Sequence, residues 1–198
     1  MKNRFIELLR QSGRDGAEKI VENLEKLGFF TAPASTKHHL AFPGGLVQHS
    51  VSVCETALRL REMIIAMNPA SEQRLPVSSV IIASLLHDVC KAEIYKPKYR
   101  NVKNEVTGIW EKVPGFEPDY SYFPLGHGEK SVIRLLLWGV QLTRDEMLAI
   151  RWHMSAWDLP FQSWEESGNI SEASAVPLVS LIQAADGLSS HILEETGE

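Results

Sequence analysis

Two cysteines in 198 residues leave this chain without a disulfide framework. Cys54 and Cys90 both fall in apolar helical patterns, so they read as small core hydrophobes, and their scarcity suits a reducing, cytoplasmic setting. Long apolar runs are missing as well. No stretch approaches the ~18 residues that span a bilayer, and the N-terminal MKNRFIELLR has no signal-peptide core. Positive charge is not in surplus either. A formal net charge of −5 argues against general coating of nucleic acid, which wants a basic surface. It leaves room for a nucleotide at a metal site, where the ion would supply the local positive charge. Internal repeats and low-complexity segments are absent.

With 44% hydrophobic and 23% charged residues, the chain has the composition of an ordinary globular protein. Its length is most simply one domain, large enough to bury a core without covalent support. Phe5, Leu8 and Leu9, then Ile20, Val21, Leu24 and Leu27, recur at helical spacing, with Gly13 and Gly28 as breaks. They predict a helical hairpin over residues 1–30, packed on a body formed by residues 31–198. After a loop over 31–45, a helix is expected over 46–67, its inward stripe reading Leu46, His49, Val53, Ala57, Leu60 and Ile64. Residues 78–90 are apolar almost all round, which marks a central buried helix.

Another helix opens near Gly126, and Thr143 to Glu146 spell a capping box that starts a helix running to His153. The last helix is expected over 175–195, with Leu178, Ile182 and Asp186 on one face. Only 99–113 look extended, as a small hairpin around Thr107-Gly108 within an excursion over 95–123. The expected fold class is all-α, a helical bundle carrying one small hairpin or long loop.

His87 and Asp88 end the most apolar segment of the chain, where an imidazole beside a carboxylate is costly to bury without a partner. Imidazole nitrogen and carboxylate oxygen are standard ligands of divalent cations. His49 lies on the inward stripe of its helix, and His127 opens the following one. His153 falls three residues after Ile150 on an inward face, and Asp186 falls four after Ile182. Each alone has a plain explanation as a hydrogen-bonded core residue. Four imidazoles and two carboxylates aimed into one small core are hard to satisfy together without a metal.

The order His49, His87-Asp88, His127, His153, Asp186 resembles the HD superfamily of metal-dependent phosphohydrolases. The flank HHLAFPGGLVQHS over 38–50 is similar to the segment before the first histidine in HD domains of 3′→5′ exoribonuclease and conjugative-helicase type. The resemblance spans residues 33–190, and thus extends over most of the chain. It implies that His49, His87, Asp88 and Asp186 hold one ion, and that His127 and His153 either hold a second bridged by Asp88, the reading favoured by the presence of both, or contact substrate phosphate as in members with a single ion. The ions would be two divalent metals, with Mn, Fe, Mg, Co, Ni and Zn not distinguished. The exoribonucleases carry a nucleic-acid-binding barrel ahead of the HD domain, whereas this chain has only a short helical hairpin there.

The function so implied is phosphomonoester or phosphodiester hydrolysis on a nucleotide or other small phosphate ester, with a metal-bridging hydroxide as nucleophile. Asp88 and Lys91 are the catalytic candidates, Lys91 lying three residues on and aimed at the substrate phosphate in HDxxK members. Lys91, Arg100 and Tyr120 are the substrate-binding candidates.

The excursion holds every tyrosine of the chain, together with Trp110, Phe116 and Phe123. These rings either stack a base, with Arg100 or Lys103 on a phosphate, or pack a long loop onto the body. Glu129 is read either as a partner fixing an imidazole or as a first-turn glutamate favoured by the helix dipole. His38 and His39 fall in the matching flank, His191 is expected at the surface, and Trp152 and Trp157 are expected to pack. Two other functions fit the same ligands: a mixed-valence di-iron oxygenase and a non-catalytic nucleotide-binding module. No membrane partner is expected, and a homo-oligomer is compatible with the apolar helices.

Overall fold

The computed structural model describes residues 1–194 apart from 38, 106, 120, 122, 124 and 156–163, and of Arg100 and 164–167 the backbone alone. The fold is mostly α-helical, with one two-stranded antiparallel sheet among the described residues. Helices α1 (Lys2–Gln11) and α2 (Ala17–Leu27) form the expected hairpin. They bury Phe5, Leu8, Leu9, Ile20, Val21 and Leu24, the spacing of one helical face. Phe5 packs against Phe29 and Phe30 at ring distances of 5.3 and 5.6 Å beneath the start of α3 (Gly45–Met67). Arg14, in the link between α1 and α2, reaches Glu146 on the far side of the body.

Helix α4 (Val77–Leu86) is buried on nearly every face, which places it at the centre. It ends at Leu86 rather than continuing to residue 90. Past His87 the bonds tighten, Lys91 N–H donating to Asp88 O at 2.9 Å and Glu93 N–H to Cys90 O at 2.9 Å. The Ser131 hydroxyl takes the Cys90 N–H at 3.3 Å, and the Cys90 thiol donates to His127 O at 3.1 Å. The turn that carries His87-Asp88 is therefore pinned onto α6 (His127–Leu137) before the short α5 (Lys91–Ile94) begins.

Helix α7 (Arg144–Trp152) opens on the capping box read from the sequence: Glu146 N–H donates to Thr143 Oγ1, and Thr143 N–H donates to Glu146 Oε2. Helix α8 spans Trp164–Ser174, and α9 spans Pro177–Leu188. Where an unbroken helix was expected through 195, the backbone widens to a π turn over Ser189–Leu193, closed by Glu194 N–H to Ser189 O at 3.0 Å. No single described helix is long and apolar enough to cross a membrane.

The hairpin is longer than the sequence suggests, β1 (Tyr95–Lys103) pairing β2 (Trp110–Pro118) in unbroken register from Tyr95↔Pro118 to Lys103↔Trp110. Pro97, Pro114 and Pro118 read as strand breakers, but in a two-stranded ribbon both strands are edges, which tolerate proline. Gly108 supplies the positive φ of 71° at the turn, where Gly108 N–H donates to Asn104 O at 2.8 Å.

Candidate metal centre

Five elements converge on one point. His49 projects from the second turn of α3, and His87 and Asp88 from the turn after α4. His127 is the first residue of α6, His153 caps the end of α7, and Asp186 lies on the inner face of α9. All are buried except His127, whose side chain is 18% exposed. Close backbone approach sets the spacing: a Cβ on Gly128 would meet Arg151 O at 2.4 Å, so glycine after His127 lets α6 touch the end of α7 where His153 sits.

The donors gather on both sides of Asp88, with Asp186 also within reach of His87 and His153. His49 Nε2 lies 3.2 Å from His87 Nε2, 3.2 Å from Asp186 Oδ1 and 3.6 Å from Asp88 Oδ2, and His87 Nε2 lies 3.2 Å from that same Oδ2. On the other side, His127 and His153 face each other with Nε2 atoms 3.1 Å apart, at 3.6 and 3.4 Å from Asp88 Oδ1. The structure brings together all six ligand candidates. These buried histidine and carboxylate groups can hold a metal ion.

The protonation pattern fits a cation. His87 Nδ1 is 2.8 Å from Ser84 O and His153 Nδ1 is 2.7 Å from Ile150 O. A carbonyl oxygen only accepts, so each Nδ1 carries the proton and each Nε2 points inward as a candidate donor to metal. His49 Nδ1 is held 3.0 Å from Glu194 Oε2. Asp88 Oδ1, fully buried, has no hydrogen-bond partner among the described residues.

Glu146 shows what a purely structural buried carboxylate looks like here, bonded by Arg14, the Ser79 hydroxyl at 2.7 Å and the Thr143 amide at 2.9 Å. The orphaned Asp88 oxygen among imidazole nitrogens is the converse, an acceptor kept for something absent from the chain.

Charge explains the titration of the cluster. Burial alone would raise the Asp88 carboxyl, but Lys91, with Nζ 2.6 Å from Oδ2, and His87 hold it well below the usual carboxylate range. Burial would likewise depress Lys91, and the Asp88 charge outweighs it and raises the ammonium. Burial opposes ionisation of Asp186 too, and its bond with His49 lowers it. Burial would push His49 down, yet its bonds to Asp186 and Glu194 raise it to about 9 in the metal-free chain. A cation taking up His49 Nε2 must therefore displace a proton.

Other candidates fall elsewhere. Arg100 sits in β1 opposite Val113, its side chain outside the described residues, as are Tyr120, Tyr122, His38 and Trp157. Glu129 binds Arg151, whose Nε donates at 2.9 Å. His39 does lie at the site, its ring 5.1 Å from that of His49, and burial followed by the His49 and Lys91 charges pushes it down to about 4. His191 is exposed and Trp152 is buried, as expected. Cys54 and Cys90 are free and buried, and burial pushes the Cys90 thiol up to about 12, which suits packing.

Glu194 is the residue that sequence reasoning missed. It directly follows the π turn over Ser189–Leu193, which its amide closes on Ser189 O, and its carboxylate lies against His49.

Residues 18–95 match the TraI_2 family, described as "Putative helicase", over less than half of the chain. No curated protein and no solved structure matches the chain.

Proposed function

We propose that this chain is a metal-dependent phosphoric ester hydrolase of the HD type, acting on a nucleotide or another small phosphate ester. The observation that supports it most is the division of Asp88, one oxygen facing His49 and His87 and the other facing His127 and His153. His49, His87, Asp88 and Asp186 would hold one ion, and Asp88, His127 and His153 a second. Two such ions would supply a water acidic enough to attack phosphorus at neutral pH and would offset charge on the phosphate oxygens. The chain itself orients the imidazoles through Ser84 O, Ile150 O and Glu194, and it presents Lys91 beside Asp88 as the side-chain cation for the phosphate. The segment that matches the helicase family carries His49, His87 and Asp88 and has no GxxxxGK[ST] loop. The buried free thiols suit a cytoplasmic setting.

The direct test loads the metal-free protein with Mg, Mn, Co, Ni, Zn or Fe(II) and assays phosphomonoesters and phosphodiesters with oxygen excluded. Hydrolysis by a redox-inert ion is expected. No hydrolysis under any metal, or turnover confined to iron with oxygen, contradicts the reading.

Glu194 gives a second expectation. Its carboxylate fixes the His49 ring, and loss of such a partner typically weakens metal binding by about 10–100-fold. Glu194→Gln should show that loss in a metal titration at the ion held by His49, while the ion at His127 and His153 is unaffected. Unchanged affinity would mean that the His49 ring is oriented by other contacts.

A further inference from the structure

The hairpin that leaves the metal centre has two chemically different faces. In the unbroken register, one face carries Tyr95, Pro97, Tyr99, Asn101 and Lys103 of β1 with Pro118, Phe116, Pro114, Lys112 and Trp110 of β2. The other carries both strand glutamates, Glu117 bound to Lys98 and Glu111 bound to Asn104. Every aromatic ring of the ribbon is therefore on the first face with two exposed lysines, and no carboxylate shares it.

The plainer reading of the excursion, packing onto the body, fits the half-buried Tyr95 and Phe116 but not the two outer rings. Tyr99 is 72% and Trp110 66% exposed. Read outward from the ligand turn, the face carries Tyr95 and Phe116 and then alternates over Tyr99, Lys112 and Trp110 with Lys103, the whole over roughly 26 Å at strand spacing. Its inner end adjoins α5, which begins at Lys91 beside Asp88. Tyr95 follows α5 directly and is close enough to Lys91 to bear on its charge, and Asp119 N–H closes the hairpin base on Ile94 O at 2.7 Å.

Exposed aromatics alone would suit many partners. Rings alternating with unopposed cations in one line suit a polymer that alternates flat π-faces with phosphates. A net charge of −5 averages over the whole surface and does not describe this one face.

We propose that the Tyr99/Trp110/Lys103/Lys112 face is a track for single-stranded nucleic acid that leads a phosphodiester toward the metal centre. The proposal rests on the hydrolase reading for what happens at the end of the track, and not for the binding itself. Bases would stack on Tyr99 and Trp110, and Lys103 and Lys112 would meet phosphates. A duplex, its bases already stacked, would bind more weakly.

The test is fluorescence anisotropy of labelled oligo-dT and oligo-U of about 12 nucleotides, with matching duplexes, on full-length protein kept metal-free by chelation so that no strand is cut. Wild type should bind single strands in preference to duplex, and comparing the two arms identifies the sugar it prefers. Tyr99→Ala/Trp110→Ala should weaken binding by about tenfold per ring. Lys103→Gln/Lys112→Gln should flatten the slope of log K against log salt by about 1.4, roughly 0.7 per phosphate contact. All four positions are exposed, so circular dichroism and metal content should match wild type.

Absence of binding to either strand, or equal binding by the aromatic double variant, overturns the proposal. So does a wild-type dimer that the aromatic variant turns into monomer without loss of oligonucleotide binding, since the face would then serve a second copy. A chain that binds strands but hydrolyses nothing contradicts the hydrolase reading alone, and a hydrolase that binds no strand contradicts the track alone.

Discussion

Asp88→Asn should lower phosphoester hydrolysis by on the order of 10³-fold, a loss of several kcal/mol of transition-state stabilisation, and should reduce bound metal from two ions to one or none. Asparagine keeps one oxygen and replaces the other with an N–H donor. Whichever way the amide turns, it aims that donor at one histidine pair, His49/His87 or His127/His153, where the carboxylate offered an acceptor. Asp186 also stands near His87 and His153, but only Asp88 has one oxygen toward each pair at the distances given above. The same change leaves Lys91, 12% exposed, without its carboxylate, and breaking such a buried pair costs about 3 kcal/mol of stability in the metal-free chain. Asp88→Asn/Lys91→Met removes that complication and should recover stability without recovering hydrolysis. Metal content and rate equal to wild type in either variant would show that Asp88 is not the shared ligand.

Lys91→Met should separate catalysis from metal binding, lowering kcat by on the order of 10²-fold while metal affinity is retained or tightened. In the metal-free chain Lys91 Nζ sits 2.6 Å from Asp88 Oδ2, the oxygen that also faces His49 and His87. A metal ion at that oxygen would compete with the ammonium, leaving Lys91 to offer its charge to a substrate phosphate instead. Methionine keeps the apolar stem and removes the competitor. Single-turnover rates with parallel metal titrations read both quantities. An unchanged kcat would reduce Lys91 to a helix-end charge, and a fall in metal affinity matching that in kcat would mean it only holds Asp88 in place.

Helix existence and facing were legible because the apolar stripes of α1, α2, α3 and α9 follow the helical period, and because the Thr143–Glu146 capping box is a local chemical signal. The stripes of α3 and α9 carried His49 and Asp186 inward, and the three-residue step from Ile150 did the same for His153 at the end of α7, so the ligand cluster could be anticipated from spacing.

Three features were not legible, each for its own physical reason. Helix α4 stops at Leu86 because Ser131 and His127, some forty residues on, take up the Cys90 backbone and thiol. Glu194 reaches His49 through a π turn, which shifts the helical phase that pattern reading assumes. The carbonyls of Ser84 and Ile150 that fix two imidazoles are backbone atoms, and residue identity says nothing of them. The hairpin lay between these cases. Its turn was recognisable at Thr107-Gly108, but the prolines hid the length of its strands and hence the separation of its two faces.

One buried cluster holding two ions that share Asp88 is a proposal about stoichiometry, and a metal count decides it. Purified chain should be reconstituted with Mn(II), freed of excess and measured by elemental analysis, beside His127→Ala/His153→Ala and His49→Ala/Asp186→Ala. Two ions per chain for wild type and one for each double variant is the predicted result. No retained metal in wild type, or the same count in all three proteins, would contradict the account.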